Sequence, residues 1–551
     1  MAAGLERHEG GVMAVDLVPS RLRAAWVEAG YCPGRDLFRL FEEQASSRPA
    51  QAAVIDDASG IKYGELALAA KRLAVELVEA GVGPGEVVAV QLPNCWQACA
   101  VELAVAAVGA VCLPYPMKLG DRESRVLLTR SHAVAAVIAG DVGAHDHAGM
   151  LEEVRADLPR LRQVFVLGAP HGNFPELGAI PDPPDAPGEW SGPAIDPDGP
   201  ARVLVTSGTE SIPKMVLYSH NALAAGFGNR LATLDPTGLR ALCLVPLSTG
   251  FGGIGVIGTL ICHGGTLVVT AGFDPDRVLA LVDRERPTHI FGVPTMLTDL
   301  LASPLLDRVD TSSVRVVAAG GAAIAPEIIE EVQQRFGCTF VNRYGTSDGV
   351  ACQTSLDDPL DRIVSTVGRP DPAVCTIRIV DDEGDDQSPG REGEIWGRGP
   401  FSPLFYLNSP ELDRRYRTED GWIKTGDLGV VDEDGYLRVV GRAKDIIIRG
   451  GANISPAEIE ELLHIHGGVR YAACVGMPDE RLGERVCAVV VPIEDAQVPS
   501  LDELNRFLLA RGLAKFKLPE RLEVVAELPR NPVGKVNKEA LRRRLESRWI
   551  H

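Results

Sequence analysis

A loop rich in glycine and hydroxyl side chains, followed by a lysine, lies within residues 203–223, VLVTSGTESIPKMVLYSHNAL. An apolar strand runs into this loop, whose polar residues include Thr206, Ser207, Gly208, Thr209 and Lys214. Successive backbone N–H groups and small hydroxyls can surround phosphate oxygens, and a lysine adds positive charge. The Walker pattern G-x-x-x-x-G-K-[ST] is absent from the segment. Taken alone, the segment therefore predicts either a phosphate loop or an ordinary Ser/Thr turn.

Four further segments with chemically useful side chains follow in the chain: AAGGAAIAPEI (318–328), NRYGTSD (342–348), KTGDLGVVDEDGYLRVVGRAKDIIIRGGANISPAEIE (424–460) and LPRNPVGKVNK (528–538). They contain paired glycines, a tyrosine beside a hydroxyl and a carboxylate, a second carboxylate with arginines, and a lysine near the carboxyl end. Each one alone also fits a turn, a β-hairpin or a solvated tail. Their conjunction, in this order, is the informative feature.

Together the five segments resemble the adenylate-forming superfamily, which includes acyl- and aryl-CoA synthetases, stand-alone acid-activating enzymes of siderophore pathways, peptide-synthetase adenylation domains and beetle luciferases. The resemblance runs from about Asp36 to Leu541. The phosphate loop departs from the family's T-S-G-T-T-G-x-P-K-G at Glu210, Ser211 and Met215. The resemblance implies that ATP activates a carboxylic acid as acyl-AMP, with release of pyrophosphate, before the acyl group passes to a thiol.

The resemblance also implies a role for individual residues. Thr206, Lys214 and Lys535 are expected to be catalytic. Residues expected to contact the nucleotide are Ser207, Gly208, Thr209, Gly320, Gly321, Ala322, Tyr344, Gly345, Ser347, Asp427 and Arg442. Within this set, Tyr344 would stack on adenine, and Asp427 would accept hydrogen bonds from the ribose hydroxyls because a carboxylate is an acceptor only. Asp348 would hold Mg²⁺, an ion that commonly retains several waters.

The carboxyl-terminal part resembles the small domain that rotates between the two half-reactions of the family. Lys444 corresponds to the hinge, and Gly450 and Gly451 correspond to the tunnel for a phosphopantetheine arm, where a side chain would obstruct the thiol. Lys535 would neutralise charge as the carboxylate attacks the α-phosphate, and would then leave the site.

The segment PLSTGFGGIGVIG (246–258) is expected to border the acid pocket, through Ser248, Thr249, Phe251 and Gly253. It lacks the aspartate of amino-acid-activating relatives and the His-Asn of dihydroxybenzoate-activating relatives. An apolar aliphatic, alicyclic or aryl acid is therefore expected.

The same stretch formally contains G-x-G-x-x-G, which raises the alternative of a nicotinamide-dependent oxidoreductase. Five residues separate this pattern from the preceding strand-like run, so a glycine-rich helix start is favoured.

The elements that must position these residues alternate between helical periodicity and short Val-rich runs, which predicts an α/β fold. Helices are expected at Tyr63–Ala80 and Trp96–Val108, with a strand at Val87–Leu92 between them. Beyond about Gly441 the pattern changes to smaller elements. We therefore expect a large α/β body at residues 1–441 and a small mobile α+β domain at 442–551.

Composition limits the partners. The 551 residues carry 55 Lys+Arg against 75 Asp+Glu, and this net charge of -20 disfavours nucleic acid and anionic membranes as partners. The 11 cysteines form no C-x-x-C pair, which argues against structural zinc and a disulfide framework. The amino terminus lacks the pattern of a signal peptide, and the apolar stretch Cys95–Pro114 contains Gln97 and Glu102. A cytoplasmic enzyme without a membrane span is expected.

The expected partners are a small carboxylic acid, ATP, Mg²⁺ and a thiol acceptor. CoA is the favoured acceptor, because RGGANISPAEIE resembles CoA ligases of cyclic and medium-length acids. The alternative is a stand-alone adenylation enzyme that loads the phosphopantetheine arm of an acyl carrier protein. A non-catalytic binding protein is disfavoured because Lys214, Asp427, Arg442 and Lys535 are all present.

Overall fold

Amphipathic helices alternate with short Val- and Ala-rich strands and cover two mostly parallel sheets. The structure, a computed structural model, describes residues 16–140, 146–167, 190–206, 213–479, 481–493, 497–530 and 535–549. Ser207, Gly208 and Thr209 of the predicted phosphate loop lie outside the described residues.

Sheet A contains eight strands, in the spatial order Ala351–Gln353, Thr339–Gly345, Val316–Gly320, His289–Gly292, Arg240–Cys243, Thr266–Val269, Ala52–Ile55 and Gly60–Lys62. The six inner strands are parallel, and the two edge strands are antiparallel to their neighbours. The inner strands are buried because helices cover both faces of such a sheet. Their carboxyl ends therefore meet at one edge.

Sheet B contains seven strands, in the order Phe405–Tyr406, Met215–Ser219, Pro200–Val205, Val111–Pro114, Val87–Gln91, Ala135–Ala139 and Gln163–Leu167. The last five are parallel. Pro200–Val205 pairs antiparallel with Met215–Ser219, so the predicted phosphate loop joins two neighbouring strands. The predicted strand 201–206 is confirmed with a shift of one residue.

Two smaller sheets follow. Sheet C is antiparallel and contains Thr376–Val380, Gly393–Arg398, Ile423–Val431 and Leu437–Arg442. Sheet D contains Ala452–Ile454, Ile447–Arg449, Gly483–Pro492, Val469–Asp479 and Arg521–Val524. The segment VDEDGYLRV (431–439) forms the hairpin that joins the last two strands of sheet C.

The described α-helices are Ser20–Glu28, Leu37–Ser47, Tyr63–Glu79, Trp96–Val108, Asp121–Ser131, His147–Val154, His220–Leu223, Arg230–Ala232, Pro275–Glu285, Pro294–Ala302, Pro326–Phe336, Leu360–Ser365, Pro410–Tyr416, Pro456–His464, Leu501–Ala510 and Lys538–Trp549. Two π-helical segments, Ala224–Asn229 and Ile254–Cys262, pack against each other. Short 3₁₀ turns are Arg155–Asp157, Pro304–Arg308, Ala443–Asp445 and Lys515–Lys517.

The hydrophobic cores separate the large body from the small domain. The largest core joins sheets A, B and C and ends at Leu437. Two further cores are built only from residues at or after Ile447, on the two faces of sheet D. The predicted combination of a large α/β body with a small carboxyl-terminal α+β domain is therefore confirmed. Within the described part of the chain, none of the helices is long and apolar enough to cross a membrane.

Most predicted elements near the site are confirmed, with shifted ends. The helix Trp96–Val108 has the predicted bounds, while the helix that begins at Tyr63 ends at Glu79. The strand-like run before the G-x-G-x-x-G pattern forms the strand Arg240–Cys243. Beyond the end of this strand, Val245 and Pro246 line a cavity.

Candidate active site

One cavity lies where the parallel strands of sheet A end and where sheet B approaches them. Its volume is about 130 Å³. Its lining residues are Leu204, Val205, Phe227, Arg230, Val245, Pro246, Thr249, Gly250, Phe251, Val293, Gly320, Gly321, Arg343, Tyr344, Gly345, Thr346, Ser347, Phe401 and Lys535. Ligands of open α/β sheets bind outside the carboxyl ends of the strands, so this position is the expected one.

The paired glycines at the end of the strand Val316–Gly320 form one wall of the cavity. A Cβ atom on Gly320 would lie 2.2 Å from the carbonyl oxygen of Arg343, so only glycine fits there. Gly321 has φ +93°, a left-handed conformation that favours glycine. Ala322 follows as an exposed residue, and it is not part of the cavity lining.

Tyr344, Asp427 and Arg442 form a hydrogen-bonded chain beside these glycines. The Tyr344 hydroxyl donates to Asp427 Oδ2 at 2.7 Å, and Arg442 Nε donates to Oδ1 at 3.1 Å. Asp427 is 5% exposed, and its backbone N–H donates to Thr425 Oγ1. Burial, with the charge of Asp427, raises the pKa of Tyr344, so its hydroxyl stays a donor. The carboxylate predicted to bind a diol is thus held in place by two donors.

Lys535 extends from the small domain to the same wall. Its Nζ lies 3.7 Å and its Cε 3.4 Å from the position of a Cβ on Gly321. The residue lines the cavity. Desolvation between the two domains, together with the positive charge of Arg442, lowers the pKa of Lys535 to about 8, while Asp427 acts in the opposite direction. The structure therefore brings together residues 214 positions apart in sequence.

Tyr406 lies between the predicted phosphate lysine and the predicted metal ligand. Lys214 Nζ lies 3.5 Å from the ring centroid of Tyr416 and 5.6 Å from that of Tyr406, so it makes a cation–π contact. The Tyr406 hydroxyl donates to Asp348 Oδ1 at 2.6 Å. Thr206, next to the undescribed loop, has a buried hydroxyl without a hydrogen-bond partner among the described residues.

The predicted acid-pocket segment is present but is divided between two layers. Thr249 and Phe251 line the cavity, whereas Gly253 lies behind Phe227. A Cβ on Gly253 would lie 2.5 Å from the ring of Phe227, which itself lines the cavity. Ser248 is half-buried and is not part of the lining.

The lining residues that the sequence analysis did not name include Phe227, Arg230, Arg343 and Phe401. Neither arginine was expected there, because the predicted acid-pocket segment contains no charged residue. A signal for Arg343 was available, because residues of a strand alternate between faces and Arg343 shares its face with Val341 and Gly345. Arg230 is brought to the cavity by a helix with no motif of its own.

The chain was compared with known proteins. Residues 41–407 match the family described as AMP-binding enzyme, and residues 458–535 match the AMP-binding enzyme C-terminal domain. The chain belongs to the AMP-binding enzymes.

Relatives of this AMP-binding enzyme differ in substrate. It is 34% identical to 2-hydroxy-7-methoxy-5-methyl-1-naphthoate–CoA ligase of Streptomyces carzinostaticus, over 95% of this chain and 96% of that one. It is 31% identical to 2,3-dihydroxybenzoate-AMP ligase of Bacillus subtilis, over 97% and 98% of the two chains. The structure of amide bond synthetase McbA from Marinactinospora thermotolerans superposes with a TM-score of 0.77 at 30% identity, over 92% of this chain and 99% of that one.

The predicted hinge and tunnel residues of the AMP-binding enzyme lie outside the cavity. Lys444 lies in the 3₁₀ turn Ala443–Asp445, on the connection between sheets C and D. Gly450 and Gly451 form the exposed turn between Ile447–Arg449 and Ala452–Ile454, with φ +57° and +85°. A role in a thiol tunnel would require another arrangement of the domains and stays a prediction.

The G-x-G-x-x-G pattern does not form a nucleotide loop in the AMP-binding enzyme. Gly253, Gly255 and Gly258 lie in or beside the buried π-helical segment Ile254–Cys262. Cβ atoms on Gly253 and Gly255 would lie within 2.8 Å of neighbouring side chains. These glycines serve helix packing, so the segment offers no support for the oxidoreductase alternative.

Proposed function

We propose that the enzyme activates a carboxylic acid with ATP as acyl-AMP and passes the acyl group to a thiol, most simply CoA. The proposal rests on the position of Lys535, which lies beside Gly321 at a cavity flanked by the Tyr344–Asp427–Arg442 chain. One wall suits a nucleoside, and Phe227, Phe251 and Phe401 provide apolar surface elsewhere in the lining. Family membership supports this reaction class.

In the first step, a carboxylate oxygen of the acid attacks the α-phosphorus of ATP, and the bond to pyrophosphate breaks. Arg442 and Tyr344 hold Asp427 so that its remaining lone pairs face the ribose hydroxyls. The Lys535 ammonium, at the rim beside Gly321, opposes the negative charge that the two reacting anions bring together. Phe227, Phe251 and Phe401 hold the apolar frame of the acid.

Asp348 is the residue that would hold Mg²⁺. It directly follows the lining residue Ser347, and the Tyr406 hydroxyl donates to one of its oxygens. Among the described residues no group of three or more His, Cys, Asp or Glu could bind a metal ion, so phosphate and water would supply the other ligands. The ion would neutralise phosphate charge when bound.

In the second step, a thiolate attacks the acyl carbonyl, the bond to the phosphate oxygen breaks and AMP leaves. The alternative acceptor is the phosphopantetheine thiol of a carrier protein. We place the enzyme in the cytoplasm, where ATP and CoA are available. Because the chain is similar to an amide bond synthetase, an amine is a further candidate acceptor that an experiment must test.

The test is acid-dependent exchange of pyrophosphate into ATP across a panel of acids, followed by product analysis with CoA, a phosphopantetheinylated carrier protein or an amine as acceptor. Exchange that depends on the acid, with a thioester as the product, is the expected result. An amide product without thioester would contradict the thiol proposal, and absence of exchange with every acid would contradict acid activation.

A further inference from the structure

Two guanidinium groups, those of the buried Arg343 and the half-buried Arg230, line the cavity without a carboxylate partner among the described residues. Arg343 is only 4% exposed, and its side chain makes no hydrogen bond or ion pair to any described residue. Its guanidinium carbon lies 4.9 Å from the ring centroid of Phe251 and 5.6 Å from that of Phe291. Nε and Nη1 are fully buried, while the side chain still borders the cavity.

Arg230 provides the second positive charge. It lines the same cavity and donates from Nε to the amide oxygen of Gln353 at a long 3.4 Å. It has no ion pair with a carboxylate in the described part of the chain. Burial, with the nearby charge of Arg230, lowers the pKa of Arg343, and burial lowers the pKa of Arg230 to about 10. Neither arginine therefore forms an ion pair with a carboxylate in the described part of the chain.

A buried, unpaired charge is costly, and aromatic faces offset only part of that cost. A neutral hydroxyl on the ligand would accept a hydrogen bond but would leave the charge. An anionic group on the ligand would both accept a hydrogen bond and neutralise the charge. The observations therefore favour a negatively charged group at this end of the cavity.

That anion is separate from the carboxylate that reacts. Lys535 lies beside Gly321, with Nζ 3.7 Å from the position of a Cβ on that glycine, whereas the Arg343 guanidinium packs on the rings of Phe251 and Phe291. The two cationic groups therefore contact different parts of the cavity wall.

We propose that the acid activated by this enzyme carries a second carboxylate, which Arg343 and Arg230 bind at the buried end of the cavity. This inference rests on the proposed function and names its substrate class. A carboxylate matches the planar donors of a guanidinium, and the three phenylalanines pack on the frame between the two acid groups. The enzyme would then form a monothioester that retains a free carboxylate.

The test compares dicarboxylic acids with their monomethyl esters, which keep the shape but remove one charge. Succinate, glutarate and isophthalate are each paired with the monoester and with the corresponding monoacid, and salicylate represents a neutral hydroxyl. Acid-dependent ATP–pyrophosphate exchange is measured, so the thiol acceptor does not matter. We expect kcat/KM for the best diacid to exceed that for its monoester by about 100-fold or more.

Arg343→Met and Arg230→Met should each lower the ratio of diacid to monoester activity by about tenfold or more. Arg240→Met is the matched control, because Arg240 lies in sheet A but pairs with Glu285 at 2.6 Å, and it should leave the ratio unchanged. Replacing an uncompensated buried cation should not lower the thermal unfolding midpoint of Arg343→Met. A residue with a purely structural role would lower that midpoint without changing the ratio.

The wild-type ratio needs no variant, so a folding defect cannot hide the answer. A wild-type preference for the monoester or monoacid, or for salicylate over every diacid, would overturn the second carboxylate while leaving acid activation intact. An unchanged ratio of diacid to monoester activity in both arginine variants would also overturn the second carboxylate. Exchange with no acid in the panel would instead overturn the proposed function, and this inference with it.

Discussion

At the scale of single residues, the site depends on charges that come together from distant parts of the chain. Asp427 is held by Tyr344 and Arg442, while Lys535 approaches Gly321 from another domain. The hydrogen bond from Tyr344 to Asp427 was not predicted, although a stacking role was predicted for the ring. Changes in the charge of these residues, by pH or by substitution, therefore test the site most directly.

The adenylation step should be lost at alkaline pH through Lys535. Because the pKa of Lys535 is lowered to about 8, the ammonium is present below that pH and is lost as the pH rises through it. We expect kcat/KM for acid-dependent pyrophosphate exchange to fall above pH 8. Lys535→Arg should remove this alkaline limb at a lower overall rate, since arginine stays protonated.

Lys535→Ala is expected to abolish adenylate formation but to affect thioester formation from pre-made acyl-adenylate only mildly. The two half-reactions are measured separately, and circular dichroism controls for folding. Equal loss of both in a folded protein would contradict a lysine that acts in one half-reaction only.

At the scale of elements, packing behind the cavity controls its volume. The two π-helical segments Ala224–Asn229 and Ile254–Cys262 bring Phe227 against Gly253. The predicted pocket residue therefore acts through an aromatic neighbour. Only the packing of the two segments could reveal this arrangement.

Gly253→Ala should narrow the range of acids without changing the apparent affinity for ATP. The added methyl group would lie within 2.5 Å of the Phe227 ring and should push that ring into the cavity. Larger acids should lose about tenfold in kcat/KM relative to smaller ones of the same class, since one methylene is worth about 1–3 kcal/mol. A graded acid panel measures this effect. An unchanged ranking would contradict the proposed packing role.

Gly451→Leu should reduce thioester formation by about tenfold or more while ATP–pyrophosphate exchange persists. The matched control is Gly435→Leu in the hairpin turn of sheet C. Both glycines have nearly the same φ, +85° and +84°, and neither has an atom within 4 Å of an added Cβ. Backbone strain is therefore equal in the two variants. The tunnel assignment fails if the control loses thioester formation to the same extent.

At the scale of the whole molecule, a few polar contacts hold the small domain against the large body in the arrangement that brings Lys535 to the cavity. The Tyr471 hydroxyl lies 3.2 Å from both carboxylate oxygens of Asp299, and Arg511 pairs with Glu327 at 2.5 Å. We place the boundary between the two domains at Gly441 and Arg442, next to the turn that contains Lys444.

Removing these contacts should selectively slow adenylation. Exposed ion pairs are worth about 0.2–1 kcal/mol each, so Asp299→Ala combined with Glu327→Ala should slow pyrophosphate exchange about two- to fivefold. Thioester formation from pre-made adenylate should not slow. Glu331→Ala is the control, because Glu331 lies on the helix of Glu327 but contacts Arg335 of the same helix. Faster exchange in the double variant would contradict the proposed role.

The sequence alone determined the fold class, the family resemblance and most of the nucleotide wall. Local patterns are sufficient for these features because strand periodicity and glycine requirements are properties of short segments, as at Val316–Gly321 and Tyr344. Asp427 and Lys535 were assigned by motif, and the structure brings them to the same cavity, although their roles stay predictions.

Only the tertiary structure decided the character of the acid pocket. The segment 246–258 contains no charged residue and predicted an apolar lining, but Arg230 and Arg343 reach the same cavity from a helix and from another strand. A buried guanidinium cannot be distinguished in sequence from one at the surface, because its exposure depends on what packs around it. Long-range packing, which no local pattern encodes, placed two arginine side chains in the wall of this cavity.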